Sequence, residues 1–312
     1  MPQDFEHIQS RLNNIRSVGP ILAALRTISL GSWQMALNRL RGLRDYSARL
    51  LSFLPLLLPH IDETRHGLPF LRGKTASRGQ ALPATERVIA LVIGSERGLC
   101  GQYNAAIAAR AAAYFAAQAQ DGVALEIMAL GSRMIRTLQR QKRALCWAQS
   151  LPVTRLPAFE MAFRLTREWL LRYEASEIDA VDVLYNAYDR SGRYTPTVFR
   201  LLPPDLPSAA PLAPEDVSLS APYIIETDPL RMYVRIVEQW TAINFYTLLL
   251  SAAASEHSAR FQLMESATQN VDRLVEDLTQ ELQSARRQAI TIEMQELASS
   301  AGLLGKELRP EV

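Results

Sequence analysis

Apolar residues fall at Ile8, Leu12, Ile15, Val18, Leu22, Leu25 and Ile28, in steps of three and four, so one face of the first segment is apolar at the period of a helix. The pattern continues to about Leu54, and a helix of about 50 residues would be roughly 75 Å long, more than a compact domain can use. The strongest periodic signal lies near the other end of the chain: Phe261, Met264, Thr268, Val271, Val275, Leu278, Leu282, Ala285, Ala289 and Ile292. Steps of three and four alternate there without a slip, which keeps an apolar seam turned toward a partner helix in a left-handed supercoil. The thinning from leucine to Ala285 and Ala289 lets a partner backbone approach or narrows the rod. The first helix is the only segment of comparable length that could be that partner. Its Gly19-Pro20 step predicts a kink or break, since an internal proline removes one helix hydrogen bond and clashes with the preceding turn.

Between these two segments the periodicity changes. Residues 61–86 turn to Gly, Pro, Ser, Arg and Lys and read as a linker. Arg87 to Ser95 is a short apolar run ending at a glycine, followed by an alanine-rich helical stretch from Asn104 to about Gln120. Val123 to Leu130 ends at Gly131 before a second helical stretch to about Gln141. Phe159 to Tyr173 then reads as a helix and Ile178 to Tyr185 as a buried strand. Alternating strands and helices predict a parallel sheet with helices on its faces. Six prolines between Pro203 and Pro222 mark an irregular connection, and Thr227-Asp228-Pro229 is a helix start. The fold class is therefore α/β: a long antiparallel coiled coil of N- and C-terminal helices with an inserted Rossmann-like α/β domain. The expected boundaries are 1–60 and 226–312 for the helices, 61–86 for the linker and 87–225 for the domain. This is a rod with a foot, a plan suited to a shaft or a spacer.

Composition adds exclusions. The 312 residues are 48% hydrophobic and 21% charged, which suits a folded chain. Lys and Arg total 34 against 32 Asp and Glu, so a net charge of +2 predicts no general attraction to nucleic acid or anionic lipid. The acidic start, Met1-Pro-Gln-Asp-Phe-Glu-His, does not resemble an export signal, which places the chain in the cytoplasm. The apolar stretch Leu50 to Ile61 carries Pro55 and Pro59 and falls far short of the roughly 20 residues a membrane span needs. Cys100 and Cys146 are too few and too far apart for a disulfide framework or a zinc site and are expected as free thiols.

Few motifs carry chemistry. Gly67 to Thr75 places five residues between its glycines where a phosphate loop has four, and no strand precedes it. Gly98-Leu99-Cys100-Gly101, leading to Asn104, sits where the first strand turns into a helix. That position can cradle phosphate through free N–H groups, but the third glycine of a dinucleotide fingerprint is missing, so a tight structural turn is the better reading. Cys100 has no partner to activate it and reads as a small buried residue. His7, His60, His66 and His257 show no metal-ligand spacing, so neither metal nor cofactor is expected; His257 and Glu256 are expected on a helix surface. Arg39, Arg41 and Arg44, with Arg49, form the densest basic patch of the first helix, and Arg286 and Arg287 are adjacent on the last. A coiled-coil tether would explain the heptads alone, while a small nucleotide-binding enzyme would need a phosphate loop or a convergent acid, base and nucleophile, and no such set is visible.

Three segments near the C-terminal end carry a resemblance: Ala254-Ser-Glu-His-Ser-Ala-Arg260, Met264-Glu-Ser-Ala-Thr-Gln-Asn270, and Ala285-Arg286 with Ile290-Thr-Ile-Glu293. With the Arg97-Gly-Leu-Cys-Gly-Gln-Tyr-Asn104 turn, Ile178-Asp179 and Leu184-Tyr185-Asn186, they resemble the gamma subunit of F-type ATP synthases in order and spacing. The resemblance implies a coiled coil standing within a ring of alpha and beta subunits. It implies a foot seated with the epsilon subunit on the membrane c-ring, at the cytoplasmic face of the inner membrane and without insertion into it. Ion-driven rotation would then impose successive affinities on the beta sites, and this chain would hold no catalytic residue. By position, Arg286 matches an arginine that meets a catch loop of beta, with Arg287 where glutamine is usual. Ile21 and Leu25 fall on contact positions of the first helix, and Arg39, Arg41 and Arg44 would face acidic loops of beta. The chain lacks the inserted cysteine pair of the chloroplast form, so thiol switching of that kind is not expected.

Overall fold

In a computed structural model that describes residues 2–61, 86–189, 192–204 and 225–300, the chain opens with helix α1, Pro2–Leu51. A helical turn at Leu54–Leu57 follows. The remaining elements are β1 (Arg87–Ile93), α2 (Tyr103–Gln120), β2 (Ala124–Leu130), α3 (Ser132–Arg140), β3 (Trp147–Gln149), α4 (Phe159–Glu174), β4 (Ala180–Tyr188), β5 (Tyr194–Leu202) and α5 (Pro229–Ser300). The basic stretch Gly67 to Thr75 and most of the proline-rich connection lie outside the described residues. By contacts, the chain divides into two units, one built from Met1–Ile28 with Phe261–Val312 and the other from Ser29–Arg260.

The second unit holds the sheet, ordered β3-β2-β1-β4-β5. β1 pairs in parallel with both β2 and β4, with Val88 beside Leu125 on one side and Ala180 on the other. A central parallel strand is covered on both faces, which is why Val88 to Val92 are fully buried and the segment reads as a continuous apolar run. Ala90, Val92 and Leu184 pack with Ile107, Phe115 and Leu138 of α2 and α3. Ile89, Leu91, Val181 and Val183 face the other way, into a core with Trp169 of α4 and Phe245 and Leu249 of α5. Ala36 of α1 belongs to that same core. Within this unit the α1–α5 pairing is antiparallel: Arg39 bonds the Tyr246 hydroxyl at 3.1 Å and Tyr46 bonds Gln239 at 3.1 Å. Strand β5 runs antiparallel to β4, so the sheet is mixed rather than purely parallel.

The first unit is a heptad seam that follows the expected positions except at two residues of α1 and at Ala289 of α5. On α5, Met264 and Leu278 are buried and Phe261, Thr268, Val271, Val275, Leu282, Ala285 and Ile292 are half-buried, as the 3–4 spacing predicts; Ala289 is exposed. On α1 the covered positions are Phe5, Ile8, Leu12, Ile15, Gly19, Leu22, Leu25, Arg26 and, at the start of the second unit, Ser29. Val18 and Ile28, expected in the seam, are 41% and 59% exposed. The helix keeps a strict 3–4 alternation through Gly19 and Ser29, and the apolar neighbours of those residues are turned outward. Arg26 and Glu265 form an ion pair at 2.7 Å across the two helices.

The break expected at Gly19-Pro20 does not occur: α1 is helical without interruption from Pro2 to Leu51. Pro20 is exposed, so the carbonyl four residues back that loses its amide donor is open to water.

Candidate functional site

In open α/β sheets, ligands bind outside the carboxyl ends of the strands where the strand order reverses. Here that position lies beyond β1 and β4, and α5 fills it. β1 ends at Ile93, and a turn with Leu99 (φ 61°) and Gly101 (φ 57°) in the left-handed region leads into α2. Asn104 holds the turn. Its Oδ1 accepts from the Ser95 N–H at 2.9 Å, and its Nδ2 donates to the Ser95 hydroxyl at 2.7 Å and lies 3.5 Å from the Cys100 sulfur. Cys100 is 3% exposed, and burial pushes its thiol up, which makes it inert. The structural reading of Gly98, Leu99, Cys100 and Gly101 therefore has a mechanism.

The anion positions of this fold are taken by the chain's own groups. Glu96 accepts from the Ser132 hydroxyl at 2.6 Å, the Ser132 N–H at 2.9 Å and the Leu151 N–H at 2.8 Å, so its carboxylate caps the N-terminus of α3. Burial raises its pKa, but these three bonds and the charge of Arg136 outweigh it, and the net shift is downward. Gly131 lets the strand end pass close by: with φ 93°, a side chain there would put its Cβ 2.5 Å from the Gly94 carbonyl oxygen. The residual cavity, bordered by Glu96, Arg97, Arg155, Glu256, His257 and Arg260, is about 40 Å³. Sites for drug-sized ligands span roughly 300–1,000 Å³, so this one has room for water only.

Glu256 and His257 are not on an open helix surface, as expected from the sequence. Glu256 is buried and bonded at 2.5 Å by Arg260, whose Nε donates to the Gly98 carbonyl at 3.2 Å and whose Nη2 reaches the Arg97 carbonyl at 3.4 Å. Burial raises the Glu256 pKa, against the pull of Arg260. Burial and the charge of Arg260 lower that of His257 to about 4. Because Arg260 Nη1 lies 3.2 Å from His257 Nδ1 and can only donate, that ring nitrogen accepts and the neutral tautomer carries its proton on Nε2. The helix pattern gave no sign of this burial, because the partners lie some 160 positions away in sequence.

The surface candidates are placed as follows. Ile21 is 60% exposed, and Leu25 is half-buried. With Val18 and Ile28, Ile21 makes an apolar stripe on α1 off the seam. Arg39, Arg41 and Arg44 are exposed, and Arg39, although bonded to Tyr246, borders an open groove of about 450 Å³ with Met35, Arg155 and Phe159. Arg286 and Arg287 are exposed on α5, well apart in sequence from that cluster. Among the described residues, no group of three His, Cys, Asp or Glu could hold a metal ion, and no helix is long and apolar enough to cross a membrane.

Comparison with known proteins fits this architecture. A family model described as ATP synthase matches residues 4–304. The ATP synthase gamma chain of Rubrobacter xylanophilus is 28% identical over 301 residues, covering 95% of this chain and 97% of that one. That of Geotalea daltonii is 27% identical over 295 residues, covering 94% and 96%. Among solved structures, a chain of the Euglena gracilis mitochondrial ATP synthase (OSCP/F1/c-ring, rotational state 3) superposes with a TM-score of 0.59 over the whole of both chains at 14% identity. One from the Tetrahymena thermophila mitochondrial ATP synthase central stalk and c-ring has a TM-score of 0.53 at 17% identity, covering 79% of this chain and 99% of that one. The match to the family model over nearly the whole length, with relatives named as ATP synthase gamma chains that cover 94–95% of this chain, shows that the chain belongs to the ATP synthase gamma subunit family.

Proposed function

We propose that this chain is the central rotor shaft of an F-type ATP synthase, coupling ion-driven rotation to successive conformations of the catalytic beta subunits. The observation that carries the reading is the outer face of α1. Val18, Ile21 and Ile28 are 41%, 60% and 59% exposed at positions the seam does not use, and an apolar stripe of this kind is a contact surface awaiting a partner. A shaft enclosed by alpha and beta subunits supplies that cover, and Arg39, Arg41 and Arg44 on the same helix suit acidic loops of beta. Arg286 and Arg287 would meet a beta loop farther along α5. Rotation works as a population shift: an asymmetric shaft presents different contacts to three otherwise equal sites, and each site adopts the conformation those contacts favour. The chemistry belongs to the beta subunits, and this chain contributes geometry. The α/β unit would seat with the epsilon subunit on the c-ring, holding the chain at the cytoplasmic face of the inner membrane.

The test is co-expression with the alpha and beta subunits of the same organism. A complex with one copy of this chain per three alpha–beta pairs, and hydrolysis that depends on its presence, is the expected result. A chain that purifies alone and leaves assembly and hydrolysis unchanged would overturn the reading.

A further inference from the structure

Helix α5 is tied to the α/β unit by directional bonds on two of its faces. On one face, the Ser251 hydroxyl accepts from the Tyr188 N–H at 3.0 Å, the Ser255 hydroxyl is shared between the Asn186 carbonyl and the Ser251 carbonyl of its own helix, each at 2.9 Å, and Ser258 donates to the Gly192 carbonyl at 2.8 Å. Steps of four and three keep these serines in line, facing the β4–β5 hairpin. The next face, about 100° around the helix, carries Ala252, Glu256 and Arg260. The Ala252 carbonyl accepts from the Tyr103 hydroxyl at 2.9 Å, and Arg260, held by Glu256, donates to the carbonyls of Arg97 and Gly98. Ser255, Ser258 and Arg260 are all buried.

Apolar packing is non-directional, and a helix held by it alone can turn about its axis at little cost in buried area. Hydrogen bonds on two faces fix the angle as well as the position, because a rotation of the helix in its seat breaks both sets together. We propose that Ser255, Ser258 and the Glu256–Arg260 pair are positioning residues that lock α5 azimuthally in the α/β unit. In a shaft, they carry torque between the foot and the helix. The inference rests on the rotor reading above and adds to it the residues at which the shaft is gripped.

The experiment uses the whole membrane-bound complex in inverted vesicles and measures proton or sodium-ion uptake per ATP hydrolysed. In the combined variant Ser255→Ala/Ser258→Ala/Arg260→Ala, hydrolysis persists while uptake per ATP falls roughly fivefold or more, since the bonds from these three side chains to the carbonyls of Asn186, Gly192, Gly98 and Arg97 are all lost from a buried joint. Arg260→Lys, which keeps a donor and the charge beside Glu256, restores part of the ratio. Arg273→Ala, an exposed position on α5, leaves it unchanged. If the combined variant does not assemble, Ser258→Ala alone carries the test, with a decrease of about twofold expected for one lost hydroxyl. An uptake ratio equal to the native one in the variant tested overturns the lock while leaving the rotor reading intact. Native hydrolysis and ion uptake that do not require this chain would overturn the rotor reading itself.

Discussion

Leu12 of α1 and Leu278 of α5 are buried to the same depth, each 3% exposed, on the two helices of the first unit. With Met264, at 2%, they are the most deeply buried apolar residues of a seam that is half-buried at most of its other positions. Leu278→Ala is therefore expected to destabilise the free chain by about 2–3 kcal/mol, the low end for a buried leucine because a two-helix seam can partly close up. Leu274→Ala, at a position 41% exposed, stays within about 0.5 kcal/mol of the native protein. Thermal melts followed by helical circular dichroism separate the two, and equal losses would mean that the seam lies elsewhere.

A second expectation concerns Gly19. It occupies a seam position, and a Cβ built there meets nothing within 4 Å. Gly19→Ala should raise stability by roughly 0.5–1 kcal/mol by restricting the unfolded chain and improving helix propensity. A lower melting point would show that the small residue is needed for close approach of the helices.

Among the described residues, Asp182 is a buried acid of the α/β unit apart from the Glu256–Arg260 pair. Asp182 is 2% exposed and accepts from the Tyr114 hydroxyl at 2.5 Å and from Arg200. Asp182→Asn is expected to cost about 2 kcal/mol, less than a fully buried pair would, because the Arg200 side chain is 48% exposed and can rehydrate. Tyr114→Phe removes a single hydrogen bond and costs about 1 kcal/mol. Denaturant midpoints measure both, and a larger loss for Tyr114→Phe than for Asp182→Asn would overturn the assignment of Asp182 as the centre of the group.

His257 predicts a pH dependence. Its pKa falls to about 4 in the fold, against an ordinary value in the unfolded chain, so between about pH 6.5 and 4 the unfolded chain binds more protons. Stability contributed by the neutral ring is complete above that window and falls as the pH drops through it, by up to about 3 kcal/mol. Glu256 acts in the opposite sense, since its raised pKa lets the folded state take up a proton first. The His257→Gln variant isolates the histidine: its stability should depend less on pH across this window than that of the native chain. Parallel profiles would place the ring in water.

How far the sequence revealed this structure depended on where the controlling interactions lay. The run Arg87 to Ile93 identified β1 because a central parallel strand must be apolar on both faces. β5, interrupted by Pro196 and half-exposed along much of its length, offered neither a continuous run nor a clean alternation. β3 is three residues long and too short to show a period. On α5, large residues occupy the seam and the 3–4 steps read correctly. On α1, apolarity identified Ile8, Leu12, Ile15, Leu22 and Leu25 as covered but failed at Val18 and Ile28, where the adjacent Gly19 and Ser29 are the covered residues. The outward residues were apolar for a different surface. Glu256 and Arg260 were recognisable as part of a family segment, but charges on a helix default to solvent, and only tertiary contacts with Arg97 and Gly98 reveal their burial.

The bonds that hold α5 in its seat run mostly from helix side chains to main-chain carbonyls at Arg97, Gly98, Asn186 and Gly192. A carbonyl is present whatever residue carries it, so the two sides of the joint bear sequence change unequally. Surface residues of the α/β unit can drift while these bonds survive, provided the backbone keeps its path. Each serine and the arginine on the helix has no such freedom, because its replacement removes the donor itself. Under mutational pressure the record of this joint accumulates on one side, and a short stretch of α5 carries the constraint for a contact made with three distant segments.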